Sequence, residues 1–268
     1  MDLHSHTTAS DGALAPAEVV RLAHAAGVDV LAITDHDTVA AVDEAHRAGR
    51  QLGVRIVPGV EISARLGEKE IHVLGHFVDP AERRLVSSLA RFRELRRARA
   101  ERMVERLRAH GAPLPLEEVL GEEGSVGRPH LARLLVAHGH ARDFQEAFDR
   151  WLVKGRPGWV EREMPEAGEA IALVRGAGGV ASLAHPRLSR VSGDELATLA
   201  RAGLAGVEVD HPRQDGETRR MLRLAVGSLG LEPTAGSDFH GAPEAPGLES
   251  MDAEAFGRYE TAAGRGGA

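Results

Sequence analysis

The sequence predicts an α/β fold in which strand–helix units close into a (β/α) barrel, with a helical segment inserted midway. Three observations carry this. Short apolar runs alternate with helical stretches over residues 1–80 and again from 160 to 260. Strand patterning is lost between them. Nearly every apolar run ends in a polar, titratable residue, and the C-terminal ends of strands are where the loops of a barrel converge.

The elements follow in order. MDLH reads as a first strand. PAEVVRLAHAAG is a helix with Pro16 in its first turn and Gly27 as its C-terminal stop. VDVLAIT is a strand. TVAAVDEAHRAGRQLG is a helix opened by Thr38 as N-cap and closed by Gly53. VRIVPGV and EIHVLGHFV are further strands. From Ala81 to Trp159 the pattern is helical: one long charge-rich helix with room for one break, then RPHLARLLVAHG and RDFQEAFDRWLVKG. Strand–helix alternation then resumes through GVASLAHP, GVEVDHP and EPTAGSDFHG, giving about seven strands in parallel βα order. The predicted organisation is a discontinuous barrel, 1–80 and 160–260, a helical insertion, 81–159, and a flexible tail, 261–268.

Composition excludes several functions. The chain has 268 residues, enough for a large core, and no cysteine, so disulfides, thiolate ligands and a cysteine nucleophile are ruled out. No apolar run reaches membrane-spanning length and the first residues do not read as a signal peptide, which leads to the expectation of a cytoplasmic protein. A formal charge of −7 and 3% aromatics argue against wrapping long duplex nucleic acid or stacking single strands on aromatic platforms.

The polar strand ends are His4 and His6, then Asp35, His36 and Asp37, then Glu61, His72 and His76, and later His185, Asp210, His211, Asp238 and His240. A single histidine at a strand end is usually a hydrogen-bonded loop residue. His-x-His is more telling, because alternate side chains of a strand share one face and can reach one ion. Asp238 and His240 repeat that spacing at the far end of the chain. Imidazole and carboxylate without thiolate suit Zn, Mn, Fe or Ni.

The motifs DLHSHTTASDG, TDHD, GVEIS, IHVLG, AHP and GSDFH resemble, in order, those of the PHP family, named for its polymerase and histidinol-phosphatase members. The resemblance spans essentially the whole chain. It implies a distorted seven-stranded (β/α) barrel, TIM-like, with three divalent metal ions at the C-terminal mouth. His4, His6, Glu61 and Asp238 would hold one ion. Asp11, His36 and His240 would hold a second. Glu61 would bridge to a third, completed by His72 and His185. Many members carry histidine near position 11; aspartate adds negative charge and shifts preference toward Mn²⁺, with Zn²⁺ or Fe²⁺ as alternatives. Asp35 or Asp37 would orient a histidine ligand, and His76 would support the site or pack.

Clustered divalent ions suit phosphate-ester hydrolysis, because they lower the pKa of bound water and offset charge on phosphoryl oxygens. No protein nucleophile is needed. In the insertion, Arg128 and His130 stand at a helix start suited to an anion, and Arg156 precedes the return to the barrel. These three match substrate-binding positions of the subgroup that cleaves nucleoside 3′,5′-bisphosphates or trims short RNA from its 5′-phosphate end. Lys154 reads as a solvated turn residue. The substrate would be a small nucleotide or short single-stranded RNA, with no long duplex and no membrane. The alternatives are a histidinol-phosphate or other small-molecule phosphatase, and a metal-holding scaffold without catalysis.

Overall fold

The computed structural model describes residues 1–120 and 127–265. Its contacts divide the chain into two compact units, Met1–Leu89 with Pro165–Ala268, and Ala90–Met164. Among the described residues, no helix is long and apolar enough to cross a membrane.

The first unit is built on one sheet of six strands in chain order. These are β1 (Val30–Ile33), β2 (Arg55–Leu66), β3 (Lys69–His76), β4 (Val180–Leu183), β5 (Gly206–Asp210) and β6 (Glu232–Ala235). β1/β2, β4/β5 and β5/β6 are parallel, as βα units require. β3 departs from the expected parallel order. It pairs antiparallel with both β2 and β4. The cause is a two-residue turn in which Leu66 faces Lys69 and Gly67 takes φ 60°, a conformation easy only for glycine.

The expected first strand, MDLH, is not a ladder strand, which leaves six of the expected seven. It makes isolated parallel bridges, Asp2 with Leu31 and Ser5 with Phe239. The N–H of His4 turns to the Asp2 carboxylate at 3.2 Å, which interrupts strand pairing. The segment still donates from Leu3 to Ala235 and from His6 to Phe239, and accepts from Ala32 at Asp2. The two edges of the sheet therefore meet across residues 2–6, and the curl closes there.

Helices α1 (Pro16–Ala25) and α2 (Val42–Leu52) bury Val19, Val20, Ala23 and Ala45 with Leu31 and Ile33 of β1. α2 begins four residues after the expected start at Thr38. Asp37 takes φ 52°, and the Thr38 hydroxyl accepts the Ala40 N–H at 3.2 Å, so 38–41 form a turn. α2 ends as expected, on Gly53 at φ 76°.

α3 (Arg83–Ala109) is one unbroken helix of 27 residues, and the second unit starts within it. α4 (Leu116–Leu120), α5 (Arg128–Ala137) and α6 (Phe144–Ala147) follow, the last running into a π-helical turn, Phe148–Leu152. The second unit has its own core, including Met103, Leu107, Leu131, Leu135, Trp151 and Leu152. Trp151 donates its indole N–H to the His140 carbonyl at 3.0 Å, which lets a polar-tipped ring be buried.

α7 (Ala167–Gly176), α8 (Gly193–Arg201) and α9 (Gly216–Ser228) alternate with β4–β6. α10 (Ala253–Arg265) corrects the expected tail: residues 261–265 are helical, because Phe256 and Tyr259 join a buried cluster with Leu3, Val30 and Val57. Residues 266–268 lie outside the described residues.

Candidate metal centre

The expected ligand positions converge within the first unit. His4 and His6 come from the closing segment, Asp11 from the loop after it and His36 from the end of β1. Glu61 and His72 stand on β2 and β3, His185 follows β4, and Asp238 and His240 follow β6. Two of these residues have left-handed backbone, His185 at φ 27° and Asp238 at φ 53°. Such conformations are costly away from glycine and cluster at functional sites.

Taken by the three expected ligand sets, the donor atoms lie close together. In the first, His4 Nε2 and His6 Nε2 lie 3.1 Å apart. Each is 3.3 Å from Asp238 Oδ1, and they are 3.5 and 3.3 Å from Glu61 Oε2. In the second, Asp11 lies 3.3 Å from His240 Nε2 and 3.7 Å from His36 Nε2. In the third, Glu61 Oε1 lies 2.7 Å from His72 Nδ1 and 3.1 Å from His185 Nε2. Ligands around a tetrahedral ion at about 2.1 Å sit about 3.4 Å apart. The spacings are those of atoms that could share an ion.

One detail tests the fit further. His36 Nδ1 is buried and makes no hydrogen bond, although Glu61 Oε2 is 3.0 Å away. A buried ring nitrogen left without a hydrogen-bond partner is an orphaned polar atom of the kind a metal ion would satisfy. The donor set is nitrogen and oxygen only, which suits Mn²⁺, Zn²⁺ or Fe²⁺.

The electrostatics agree. Burial alone would raise Glu61, but His36, His72 and His4 around it hold its carboxyl well below the usual range. Burial opposes charge on His72 and His240, yet Glu61 beside one and Asp11 beside the other raise both to about 9. His6 goes the other way, depressed by burial and by neighbouring His240 and His36. The cluster thus draws protons into positions that a divalent ion would take over, and metal uptake should release them.

The chain matches the PHP domain over residues 2–154. It belongs to the PHP family. It is 36% identical over 244 residues to a 5′-3′ exoribonuclease of Haemophilus influenzae, covering 89% of each chain. It is 34% identical over 259 residues to a 3′,5′-nucleoside bisphosphate phosphatase of Chromobacterium violaceum, covering 94% of this chain and 90% of that one. Among solved structures it is similar to a protein from Bifidobacterium adolescentis assigned as a metal-dependent phosphoesterase. That likeness has 34% identity, a TM-score of 0.88 and coverage of 97% and 95%.

Around this PHP centre, some residues behave otherwise than the sequence suggests. Asp35 orients no histidine directly. It accepts from the Thr7 N–H and hydroxyl, both at 2.8 Å, and from Ser10 Oγ at 2.6 Å, which shapes the loop that presents Asp11. His76 lies outside the cluster. It bonds the Leu3 carbonyl through Nε2 at 2.7 Å and the Tyr259 hydroxyl through Nδ1 at 2.9 Å. A carbonyl only accepts, so Nε2 carries the proton and Tyr259 donates to Nδ1. Burial pushes His76 down to about 4 and keeps it neutral.

Two contributors stand outside the expected ligand set: Glu208, which is not among the polar strand ends, and His211, which is one of them but is assigned to no ion. Glu208 is buried in β5 beside His4 and His185. Its signal was a carboxylate inside an apolar strand, GVEVD. His211 lies 3.3 Å from Asp238 Oδ2 through Nε2, while its Nδ1 accepts the Arg213 N–H at 3.0 Å. Nε2 therefore carries the proton and steadies the Asp238 oxygen turned away from His4.

The substrate candidates belong to the second unit. Arg128 opens α5, and its guanidinium lies 5.2 Å from the centre of the Trp159 ring. Arg99 approaches the same ring at 5.5 Å and donates to the Val160 carbonyl at 2.9 Å. His130 is turned to the Glu118 carbonyl at 2.9 Å, which occupies Nε2. Arg156 is exposed and borders a surface hollow with Arg142, Arg150, Glu146 and Asp149.

Proposed function

We propose that this PHP protein is a metal-dependent phosphoesterase acting on nucleotides or short single-stranded RNA, with nucleoside 3′,5′-bisphosphates and 5′-phosphorylated oligoribonucleotides as its substrate class. The observation that carries this reading is the convergence of imidazole and carboxylate donors around Glu61 at spacings suited to shared ions. The names of the exoribonuclease and bisphosphate phosphatase relatives supply the substrate class.

His4, His6, Glu61 and Asp238 hold one ion; Asp11, His36 and His240 hold a second; Glu61, His72 and His185 hold a third. The favoured metal is Mn²⁺, because aspartate stands at position 11. When bound, such ions supply Lewis acidity toward a phosphoryl oxygen and make water a better nucleophile near neutral pH. The side chains of Asp11 and His240 are about one-third exposed, at 32% and 33%, while His4, His6 and Glu61 are sealed. The phosphate to be cleaved therefore meets the centre on the Asp11–His240 side. Residues 81–159 act as a cap domain, in which Arg128, His130 and Arg156 bind substrate and Arg128 holds a phosphate that is not hydrolysed.

The test is a comparison of turnover by the Mn²⁺-loaded protein. Substrates are 3′-phosphoadenosine 5′-phosphate, a 5′-phosphorylated pentaribonucleotide and histidinol phosphate. The expected result is much higher kcat/KM on one of the first two. Highest kcat/KM on histidinol phosphate would replace the substrate assignment. No turnover of any phosphoester by metal-loaded protein would leave a metal-binding scaffold.

A further inference from the structure

β5 places one carboxylate between two apolar residues, Val207 and Val209, and buries it: Glu208 is 1% exposed. Its two oxygens serve two different partners. Oε1 lies 2.9 Å from His4 Nδ1. Oε2 accepts the backbone N–H of His185 at 2.8 Å. The surroundings are built for this placement. The β5/β6 register shifts between Glu208 and Asp210, an irregularity of the kind that re-aims side chains. Gln214 straddles the shift, donating to the Glu208 and Val209 carbonyls at 3.0 and 2.8 Å. Opposite stands Gly236, where a Cβ would fall 2.3 Å from His4 Cβ and 2.9 Å from Glu208 Oε1. Only glycine lets the chain after β6 pass so close.

A carboxylate accepts and does not donate, so the hydrogen on the first contact sits on His4 Nδ1. That leaves Nε2 facing His6, Asp238 and Glu61. The opposite tautomer would present an N–H to those atoms and could not ligate. The second contact holds His185 by its backbone at the residue where φ is 27°. Its N–H bonds to a side chain there instead of to a strand.

We infer that Glu208 is a positioning residue of the metal centre: it holds His4 with its proton on Nδ1 and fixes the backbone of His185. Two ligand positions assigned to different ions thus hang from one carboxylate. The inference rests on the metal reading of the site, and Glu208 itself touches neither substrate nor ion.

The experiment compares wild type, Glu208→Gln and Glu208→Asp. Gln keeps the shape but offers one acceptor where two are needed. Asp keeps the charge but withdraws the carboxylate by one methylene. Metal-free proteins are titrated with Mn²⁺ by calorimetry, and imidazole ¹⁵N spectra are recorded on zinc-loaded protein. Glu208→Gln should bind Mn²⁺ about 10- to 100-fold more weakly, the usual effect of losing a partner of a ligating histidine. Glu208→Asp should also weaken binding, and zinc-loaded wild type should carry the His4 proton on Nδ1. Wild-type affinity in Glu208→Gln would overturn the inference. So would wild-type affinity in Glu208→Asp, which would mean that charge alone matters. A His4 proton on Nε2 in zinc-loaded wild type would overturn it without any variant, and decides the matter if Glu208→Gln does not fold. Failure of the wild type to take up Mn²⁺ or Zn²⁺ is a different result, and overturns the metal reading on which the inference stands.

Discussion

The two units place their charged residues by opposite means. In the first, histidines and carboxylates are buried together and hold one another through short contacts, so each side chain has little choice of position. In the second, most arginines lie on helices and the rest in connecting segments. The part of α3 within that unit, residues 90–109, carries eight arginines against three glutamates, and Arg97, Arg102 and Arg106 bond to nearby surface groups. Burial with mutual satisfaction fixes geometry, which a metal centre needs. Exposed guanidiniums such as those of Arg97 and Arg102 supply attraction without fixing geometry.

The comparison breaks most sharply at Asp238. Asp238→Ala removes an acceptor shared by His4 and His6. Elemental analysis should show bound metal falling, and phosphoesterase activity should fall with it by more than about a hundredfold, beyond the loss from merely disturbing a ligand's partner. Unchanged metal content would remove Asp238 from the centre.

A smaller effect is expected in the second unit. Arg128→Ala should keep its metal and lose about 10- to 100-fold in kcat/KM on a two-phosphate nucleotide, the equivalent of a charge-assisted hydrogen bond of about 1.5–3 kcal/mol. On p-nitrophenyl phosphate the loss should be slight. Equal losses on both substrates would move Arg128 to the reacting phosphate.

Within the first unit, His76 sharpens the contrast between ligands and supports. Its proton affinity is depressed in the folded state, from 6.5 to about 4. Between those values the unfolded chain binds more protons, so this contribution to stability is full above pH 6.5 and is lost as pH falls toward 4. Urea unfolding should show that loss in wild type, and His76→Gln should flatten it while leaving metal content unchanged. The smallest effect belongs to Tyr259→Phe. It deletes the donor to His76 Nδ1 and should cost about 1 kcal/mol, with wild-type metal binding.

Much of this centre was legible because chemistry and periodicity coincided. His-x-His at the first apolar run and Asp-x-His after the last one put alternate side chains on a common side, and the contacts among His4, His6, Asp238 and Glu61 follow. Glu208 was harder to read, since one carboxylate within GVEVD looks like an outward residue unless the register shift beside it is known. The β2–β3 hairpin was missed although Gly67 marks its turn, because strong βα alternation on either side suggested parallel order throughout. Thr38 looks like an N-cap, but its hydroxyl closes a turn instead. Asp35 was expected beside a histidine. The hydroxyl and amide groups that claim it come from Thr7 and Ser10, a long-range pairing invisible in either segment alone.

Both tryptophans of the chain, Trp151 in the core of the second unit and Trp159 beside Arg99 and Arg128, lie between Ala90 and Met164. Intrinsic tryptophan emission is therefore a built-in reporter of the second unit alone. Occupancy of the histidine cluster is read by a different signal, the imidazole resonances. A nucleotide that quenches Trp159 and metal that shifts the imidazoles can be titrated in one sample, each with its own spectroscopic channel and no added label.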